Sequence, residues 1–375
     1  MKVLVVSHPC IIDRNRSKFI EINNYPGVEM AIILPKYFRD DISPLKRVKQ
    51  SHNSKIKIYP LHPLLANIPN KSINLHFYSP MCEKVVSEFE PDIIHLEEEP
   101  YSLSALQFAM KMNKRKVKLL FFTEQNLLKR YPLPFCKFEQ YVYKKSSCAM
   151  AVSETARNVL LKKGYQKKVF IIPHEVDTQT FHKMDSKLLR KNLNLNGFVI
   201  GYAGRLMKEK GIGTLLKAVS SIKANNISLF VVGRGPLLNE VNAIANKVNL
   251  IVIENVPHNE IYKYLNCMDV LVLPSITMQN WKEQFGRVII EAMACKVPII
   301  GSSSGEIPNI IGGAGLIFNE RDADDLIDKL KLLVGNKTLC YELAEQGYEK
   351  VAQNFSLEKV AGQIYEVYKW VINNG

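Results

Sequence analysis

The sequence predicts an α/β protein made of two doubly wound domains in tandem. Three observations carry this. Short apolar runs of strand length alternate with amphipathic helical patterns, the signature of a parallel sheet covered on both faces. The alternation lapses over a polar stretch at residues 174–197, HEVDTQTFHKMDSKLLRKNLNLNG, and then begins again. The chain has 375 residues, too many for one ordinary core and suited to two.

In the first half, the strand candidates are Lys2–Ser7, Val28–Leu34, Ile56–Pro60, Ile93–Leu96, Val117–Thr123, Ala149–Ser153 and Val169–Pro173. Helical patterns lie at Pro80–Glu90, Leu103–Asn113, Lys137–Lys145 and Glu154–Lys163. In the second half, strands read at Phe198–Gly204, Ser228–Gly233, Leu250–Glu254, Val270–Pro274, Val297–Gly301 and Gly315–Phe318. Helices read at Gly211–Ala224, Pro236–Lys247, Ile261–Leu265, Phe285–Ala294, Ala323–Val334 and, last, Ser356–Asn373. The expected organisation is an N-terminal domain at 1–178, a C-terminal domain at 179–355, and a helix at 356–375 that packs back on the N-terminal domain. Open parallel sheets bind ligands outside the carboxyl ends of their strands. Two such domains facing each other across a cleft predict two substrates, one per domain, an inference from fold analogy.

Composition narrows the classes. Hydrophobic residues make up 47% and charged residues 23%, a soluble globular balance. No apolar run approaches the roughly 20 residues that span a bilayer. The start, MKVLVVSHPC, reads as a buried strand rather than a signal peptide, because the apolar stretch is short and soon meets Asp13, Arg14 and Arg16. Seven scattered cysteines without a CxxC pair exclude a disulfide framework and a structural zinc site, and point to a reducing, cytoplasmic setting.

The net charge is +14 and unevenly placed: residues 1–178 hold 28 Lys+Arg and 17 Asp+Glu, or +11, and the remainder 22 and 19, or +3. The basic residues cluster at Lys114, Arg115, Lys116 and Lys118, at Lys144 and Lys145, and at Lys162, Lys163, Lys167 and Lys168. An anionic membrane surface, a nucleic acid or an acidic substrate would each answer to this, and so would a merely solvated face. The absence of zinc-finger spacing, an RNP motif or a basic heptad array argues against nucleic acid.

Three stretches carry chemistry. In GYAGRLMKEKGIG, residues 201–213, a strand ends at Gly204 and Arg205 and Lys210 flank a turn that opens a helix at Gly211. Two cations beside free helix amides make an anion site suited to a diphosphate; a glycine-rich turn with solvated cations is the alternative. In VVGRGP, residues 231–236, Gly233 lets the backbone approach a ligand closely. In EQFGRVIIEAMA, residues 283–294, Glu283 precedes a helix read from Phe285 and Glu291 lies within it. Eight residues of helix cover about 12 Å, the reach from a sugar to the ribose of a sugar nucleotide. One carboxylate would hold sugar hydroxyls and the other the ribose, with the amides near Gly286, Arg287 and Val288 aimed at the phosphates between them. Glu291 stands in a nearly all-apolar helix, where a carboxylate needs a partner.

GRLMKEKG, VVGRGP and the Glu-x7-Glu stretch, in this order, resemble the large retaining family of glycosyltransferases with the GT-B fold, glycosyl transferases group 1 or family four. PHEVDTQTF at 173–181 resembles that family's interdomain segment, and the terminal FSLEKVAGQIYEVY resembles its closing helix. The resemblance covers the C-terminal half by motif and the N-terminal half by architecture. It implies two Rossmann-like domains and transfer of a sugar from a nucleoside-diphosphate sugar, without metal or other cofactor, to an acceptor hydroxyl with retention. It further implies Arg205 and Lys210 at the leaving diphosphate, Glu283 at the donor sugar, Glu291 at the ribose, and Gly204, Gly233 and Phe285 among the donor contacts. A glycan or lipid-linked acceptor of bacterial envelope, capsule or exopolysaccharide assembly, met at the inner membrane face, fits the basic first half.

The chain also departs from the family's pattern. The loop after the first strand, SHPCIIDRNRSKF, has no glycine, leaving Arg14, Asn15 or Arg16 for the same duty. After LLFFT stand Glu124, Gln125 and Asn126 where many members have histidine. His8, and the run His95-Leu96-Glu97-Glu98-Glu99, end strands of the first half; with Arg16, Glu124 and Gln125 they are the acceptor-side candidates. Two other readings stay open. An inverting transferase or sugar-nucleotide epimerase would use His8 as a base. A non-catalytic partner subunit would keep the fold, although Arg205, Lys210, Glu283 and Glu291 are all present.

Overall fold

The computed structural model describes residues 1–39, 46–48, 56–66, 68, 72–111, 117–222 and 226–375. The chain divides into two compact units, one formed by Met1–Pro173 with Leu357–Gly375 and the other by His174–Ser356.

The first unit is built on seven strands: β1 (Lys2–Val6), β2 (Glu29–Pro35), β3 (Lys57–Leu61), β4 (Ile93–Leu96), β5 (Lys118–Thr123), β6 (Cys148–Ala151) and β7 (Val169–Ile171). All neighbours pair parallel, in the order β7-β6-β5-β4-β1-β2-β3. Val3, Leu4, Val5 and Val6 are fully buried, as are Ala31 to Leu34, since a parallel sheet is covered on both faces. Helices α1 (Ser17–Ile22), α2 (Met81–Phe89), α3 (Leu103–Lys111), α4 (Phe135–Lys145) and α5 (Glu154–Lys162) connect the strands. The start of α5 is capped by Ser153, whose hydroxyl accepts from the Ala156 N–H.

The second unit repeats the design with β8 (Phe198–Ala203), β9 (Ile227–Val232), β10 (Asn249–Ile253), β11 (Val270–Leu273), β12 (Ile299–Ser302) and β13 (Leu316–Phe318). Its order is β10-β9-β8-β11-β12-β13, again all parallel. The longer helices here are α6 (Ile212–Ser221), α7 (Arg287–Ala294), α8 (Ala323–Val334) and α9 (Lys337–Asn354). Ile200, Tyr202, Leu215, Leu229, Val270 and Leu326 meet in one core beneath α6 and α8.

Helix α10 (Leu357–Asn374) belongs to the first unit and packs on α1. Tyr365 stacks on Tyr25 at 4.4 Å, and the Tyr368 hydroxyl meets His95 Nδ1 at 2.7 Å. Burial drives the His95 ring well below the usual imidazole range, so it is neutral and Nδ1 accepts the Tyr368 proton.

Several details differ from the sequence pattern. Residues 174–178 lie in the second unit, because Val176 bridges to Ser356 and its N–H donates to the Phe355 carbonyl. The helix expected over Pro236–Lys247 is confined to Leu238–Asn242; beyond it the N–H groups of Ala245 and Lys247 close three-residue turns instead. Helix α9 has no counterpart in the pattern. Its buried stripe is Leu343, Ala344, Gly347 and Val351, mostly small residues that do not read as an apolar face. The Asn336 side chain caps it by accepting from the Leu339 N–H, a local signal that was available.

All seven cysteines are free thiols. The basic clusters are partly consumed inside the fold. Lys163 pairs with Glu139 at 2.7 Å, Lys167 donates to the Lys144 and Ser146 carbonyls, and Lys118 to that of Gly375. Lys114, Arg115 and Lys116 lie outside the described residues.

Replacing Tyr368 by Phe keeps the apolar contacts of α10 but leaves the buried Nδ1 lone pair of His95 without a donor. The expected loss is about 1–3 kcal/mol, read as a lower unfolding midpoint in urea at unchanged slope.

Candidate functional site

In the second unit the winding direction reverses between β8 and β11, the central pair of its sheet. Loops leaving the carboxyl ends of such a pair form the usual ligand crevice of an open α/β sheet. The loop after β8 carries Gly204, Arg205 and Lys210; the loop after β11 carries Ser275, Trp281 and Glu283. Gly211 lets these two loops come together, and Gly233, just after β9, lets the loop there approach the one after β8. A Cβ on Gly211, which has φ +67°, would lie 1.8 Å from the Pro274 carbonyl oxygen just after β11, and one on Gly233 would lie 1.8 Å from that of Gly204.

This contact brings Lys210 to Glu283. The Lys210 ammonium donates to Glu283 Oε2 at 2.7 Å, and the Ser275 hydroxyl donates to the same oxygen at 2.8 Å. Glu283 is only 6% exposed. The ammonium also lies 4.7 Å from the centre of the Trp281 ring. Two donors, one of them a cation, answer the cost of burying the carboxylate. Arg205 is exposed, and its carbonyl accepts from the Tyr202 hydroxyl at 2.6 Å. Burial first and the Glu283 charge second push the Tyr202 phenol far up, so it remains a donor. Ser275 and Trp281 escaped the sequence reading. Ser275 follows the apolar strand directly, where a site residue is expected, but serine is too common in loops to stand out.

Gly286 caps the start of α7 with φ +82°, so the helix begins at Arg287, two residues later than expected. Its ring turned inward, Phe285 is 2% exposed and packs edge-on against His174 at 5.1 Å and Phe355 at 5.9 Å. It is a core anchor for the loop, not a donor contact. Gly286, Arg287 and Val288 are half-buried, while the Arg287 guanidinium reaches back to Glu175 at 3.6 Å. Glu291 has the partner that its apolar helix demands: His258 Nε2 lies 2.8 Å from Oε1.

In the first unit the acceptor-side candidates separate. The Arg16 guanidinium is buried and braces the loop after β1, donating to the Cys10 carbonyl at 2.6 Å and the Ile11 carbonyl at 3.2 Å, and pairing with Asp13 at 2.9 Å. It stitches a loop that lacks glycine and is not presented to a ligand. Asn15 donates to the Pro9 carbonyl in the same loop. His95 is fully buried against Tyr368, a structural contact. Nor is the glutamate run an open acidic patch: Glu97 pairs with Lys18 at 2.9 Å, Glu98 is 2% exposed beside His8, and Glu99 accepts from the Thr123 hydroxyl at 2.7 Å and the Glu124 N–H at 2.9 Å. Gln125 holds its own loop, donating to the Tyr131 hydroxyl at 3.0 Å and accepting from the Leu127 N–H at 3.1 Å. His8 and Glu98 remain together at the carboxyl ends of β1 and β4, joined by His76, which the sequence did not single out.

Residues 185–350 match the model of the family described as glycosyl transferases group 1, and residues 27–180 match that of glycosyltransferase family 4. CapM of Staphylococcus aureus, a capsular polysaccharide biosynthesis glycosyltransferase, is 27% identical over 236 residues, 58% of this chain and 60% of its own length. TuaC of Bacillus subtilis, a putative teichuronic acid biosynthesis glycosyltransferase, is 24% identical over 366 residues, 92% of this chain and 90% of its own. Among solved structures, Anabaena HepE in complex with UDP-glucose superposes with a TM-score of 0.72 at 17% identity, covering 98% of this chain and 99% of HepE. Two parallel, doubly wound sheets of this kind define the GT-B class. The chain belongs to the family-four glycosyltransferases, group 1.

Burial lifts the Glu99 carboxyl to about 7 from an ordinary 4.5, although the Thr123 and Glu124 donors oppose the shift. Between these values the folded chain holds a proton that the unfolded chain has lost, so this residue's contribution to stability falls as pH rises through that window. Glu99→Gln is therefore expected to raise the melting temperature relative to the parent more near pH 8 than near pH 5, by calorimetry.

Proposed function

We propose that this chain transfers a sugar from a nucleoside diphosphate to an acceptor hydroxyl with retention of anomeric configuration. The observation that carries the reading is the buried Lys210–Glu283–Ser275 cluster at the point where the second sheet reverses its winding. Glu283 orients the donor sugar through hydroxyl hydrogen bonds. Lys210 and the exposed Arg205 offset charge as it gathers on the departing diphosphate, with the amides at the start of α7 alongside. Glu291 takes the ribose hydroxyls, an exchange for its present bond to His258. The bond from the anomeric carbon to the phosphate oxygen breaks with its electron pair leaving on the diphosphate. The acceptor oxygen bonds to the same face, and its proton passes to the phosphate oxygen. UDP-glucose in HepE supports a nucleotide-sugar donor. The names of CapM and TuaC support a bacterial capsule, exopolysaccharide or other envelope glycan as the product.

The deciding experiment is a thermal-shift screen of nucleotide sugars followed by hydrolysis and transfer assays. Glu283→Ala is expected to lower turnover of the hit by about 10²-fold or more. Parental turnover in this variant would sink the assignment. NMR of the product is expected to show the donor's anomeric configuration, and inversion would exclude the retaining path.

Among the described residues no helix is long and apolar enough to cross a membrane. The +11 carried by residues 1–178 supports peripheral attachment to an anionic inner membrane face from the cytoplasm, where a lipid-linked acceptor would be met. Vesicles containing phosphatidylglycerol should retain the protein at low salt and release it as the screening length falls to about 3 Å near 1 M. Equal retention on phosphatidylcholine alone would reject the attachment.

A further inference from the structure

The first sheet also reverses its winding, between β1 and β4. His8 stands two residues beyond β1 and Glu98 two residues beyond β4, side by side at that point. Glu98 grips His8 twice: Oε1 accepts its backbone N–H at 2.7 Å, and Oε2 lies 2.7 Å from Nδ1. Burial by itself would raise the Glu98 carboxyl, but His8 and His76 outweigh it and hold the group at about 2, ionised. An ionised carboxylate only accepts, so the proton of this contact sits on Nδ1. In the neutral ring the lone pair is then on Nε2.

His76 completes the arrangement. Its Nδ1 lies 3.2 Å from the Ile73 carbonyl oxygen and its Nε2 lies 3.5 Å from Glu98 Oε1. Both of these neighbours are acceptors. The His8 ring is wedged between Phe38 at 4.9 Å and His76 at 5.2 Å, which fixes its plane. The side chain is 16% exposed. Its Nε2 takes no hydrogen bond among the described residues.

We propose that His8 Nε2 is a binding contact for the polyhydroxylated acceptor, taking a hydrogen bond from one of its hydroxyl groups. This rests on the transferase reading above. A lone pair held in this way selects an O–H donor and refuses an anion or a carbonyl. Glu98 sets the tautomer, and His76 lets Glu98 remain charged while buried. The same three side chains offer ligand atoms within 4.8 Å of one another, so a divalent cation is the rival occupant. The 2.7 Å contact between His8 and Glu98 is the length of a charge-assisted hydrogen bond, which favours the hydrogen-bonded form.

Two measurements on the full chain test this. With ¹⁵N-labelled histidine, long-range proton–nitrogen spectra near neutral pH should show His8 protonated on Nδ1 and bare on Nε2. Glu98→Gln should release it to a mixture of tautomers. A His8 protonated on Nε2 in the parent overturns the proposal, as does stoichiometric uptake of Zn²⁺ that is lost in His76→Ala. In turnover, the probes are p-nitrophenyl glycosides as acceptors, with whichever nucleotide sugar the parent hydrolyses as donor. His8→Ala should raise the acceptor KM about tenfold and lower the ratio of transfer to hydrolysis. His8→Gln, whose amide oxygen can accept, should recover part of the loss. An acceptor KM for His8→Ala within about twofold of the parent overturns the proposal. A parent that turns over no nucleotide sugar refutes the transferase reading instead, and the nitrogen spectra distinguish the two failures.

Discussion

A carboxylate taken out of water must be met by donors or by a cation, and this requirement organises the second unit. Glu283 can be buried because Lys210 and Ser275 converge on a single oxygen of its carboxylate. That convergence is possible only if the loops after β8 and β11 touch. They touch because Gly211 has no side chain to strike the Pro274 carbonyl. The parallel sheet, the glycine and the ion pair are thus successive parts of one constraint. The charged pair sits at the carboxyl ends of central strands, where an incoming anion or hydroxyl can exchange with the internal bonds.

The first unit obeys the same requirement with different chemistry. Its loop after β1 lacks the glycine that would let a phosphate approach the backbone, and it is stitched by the Arg16 guanidinium. The buried anion here is Glu98, and its matches are imidazoles rather than an ammonium. One unit therefore carries a permanent cation at its strand ends. The other carries groups whose charge depends on where protons sit.

The fold was legible in the sequence because parallel strands buried on both faces leave unbroken apolar runs, and the strands of the two large parallel sheets fall on or within a residue or two of such runs. What escaped was set by packing rather than hydropathy. Helix α9 buries small residues, and the segment after Leu238–Asn242 tightens into turns. Spacing singled out Arg205, Lys210, Glu283 and Glu291 as candidates, and the structure pairs Lys210 with Glu283. Spacing could not tell which side chains are exposed. Phe285, Arg16 and His95 look like site residues in a one-dimensional reading, yet each turns into the fold. His76 and Ser275 become visible only when distant segments meet, and only Ser275 has a local cue, its place at the end of an apolar strand.

The return of α10 to the first unit has a consequence for how the protein is made. The ribosome releases residues 1–173 long before it releases Leu357–Asn374. Through that interval α1 lacks the helix that covers it, and His95 lacks the Tyr368 hydroxyl. The second unit is continuous in sequence from His174 to Ser356 and has all its strands before α10 appears. The first unit is therefore completed only after the whole of the second, and until α10 emerges α1 carries an apolar face without its cover.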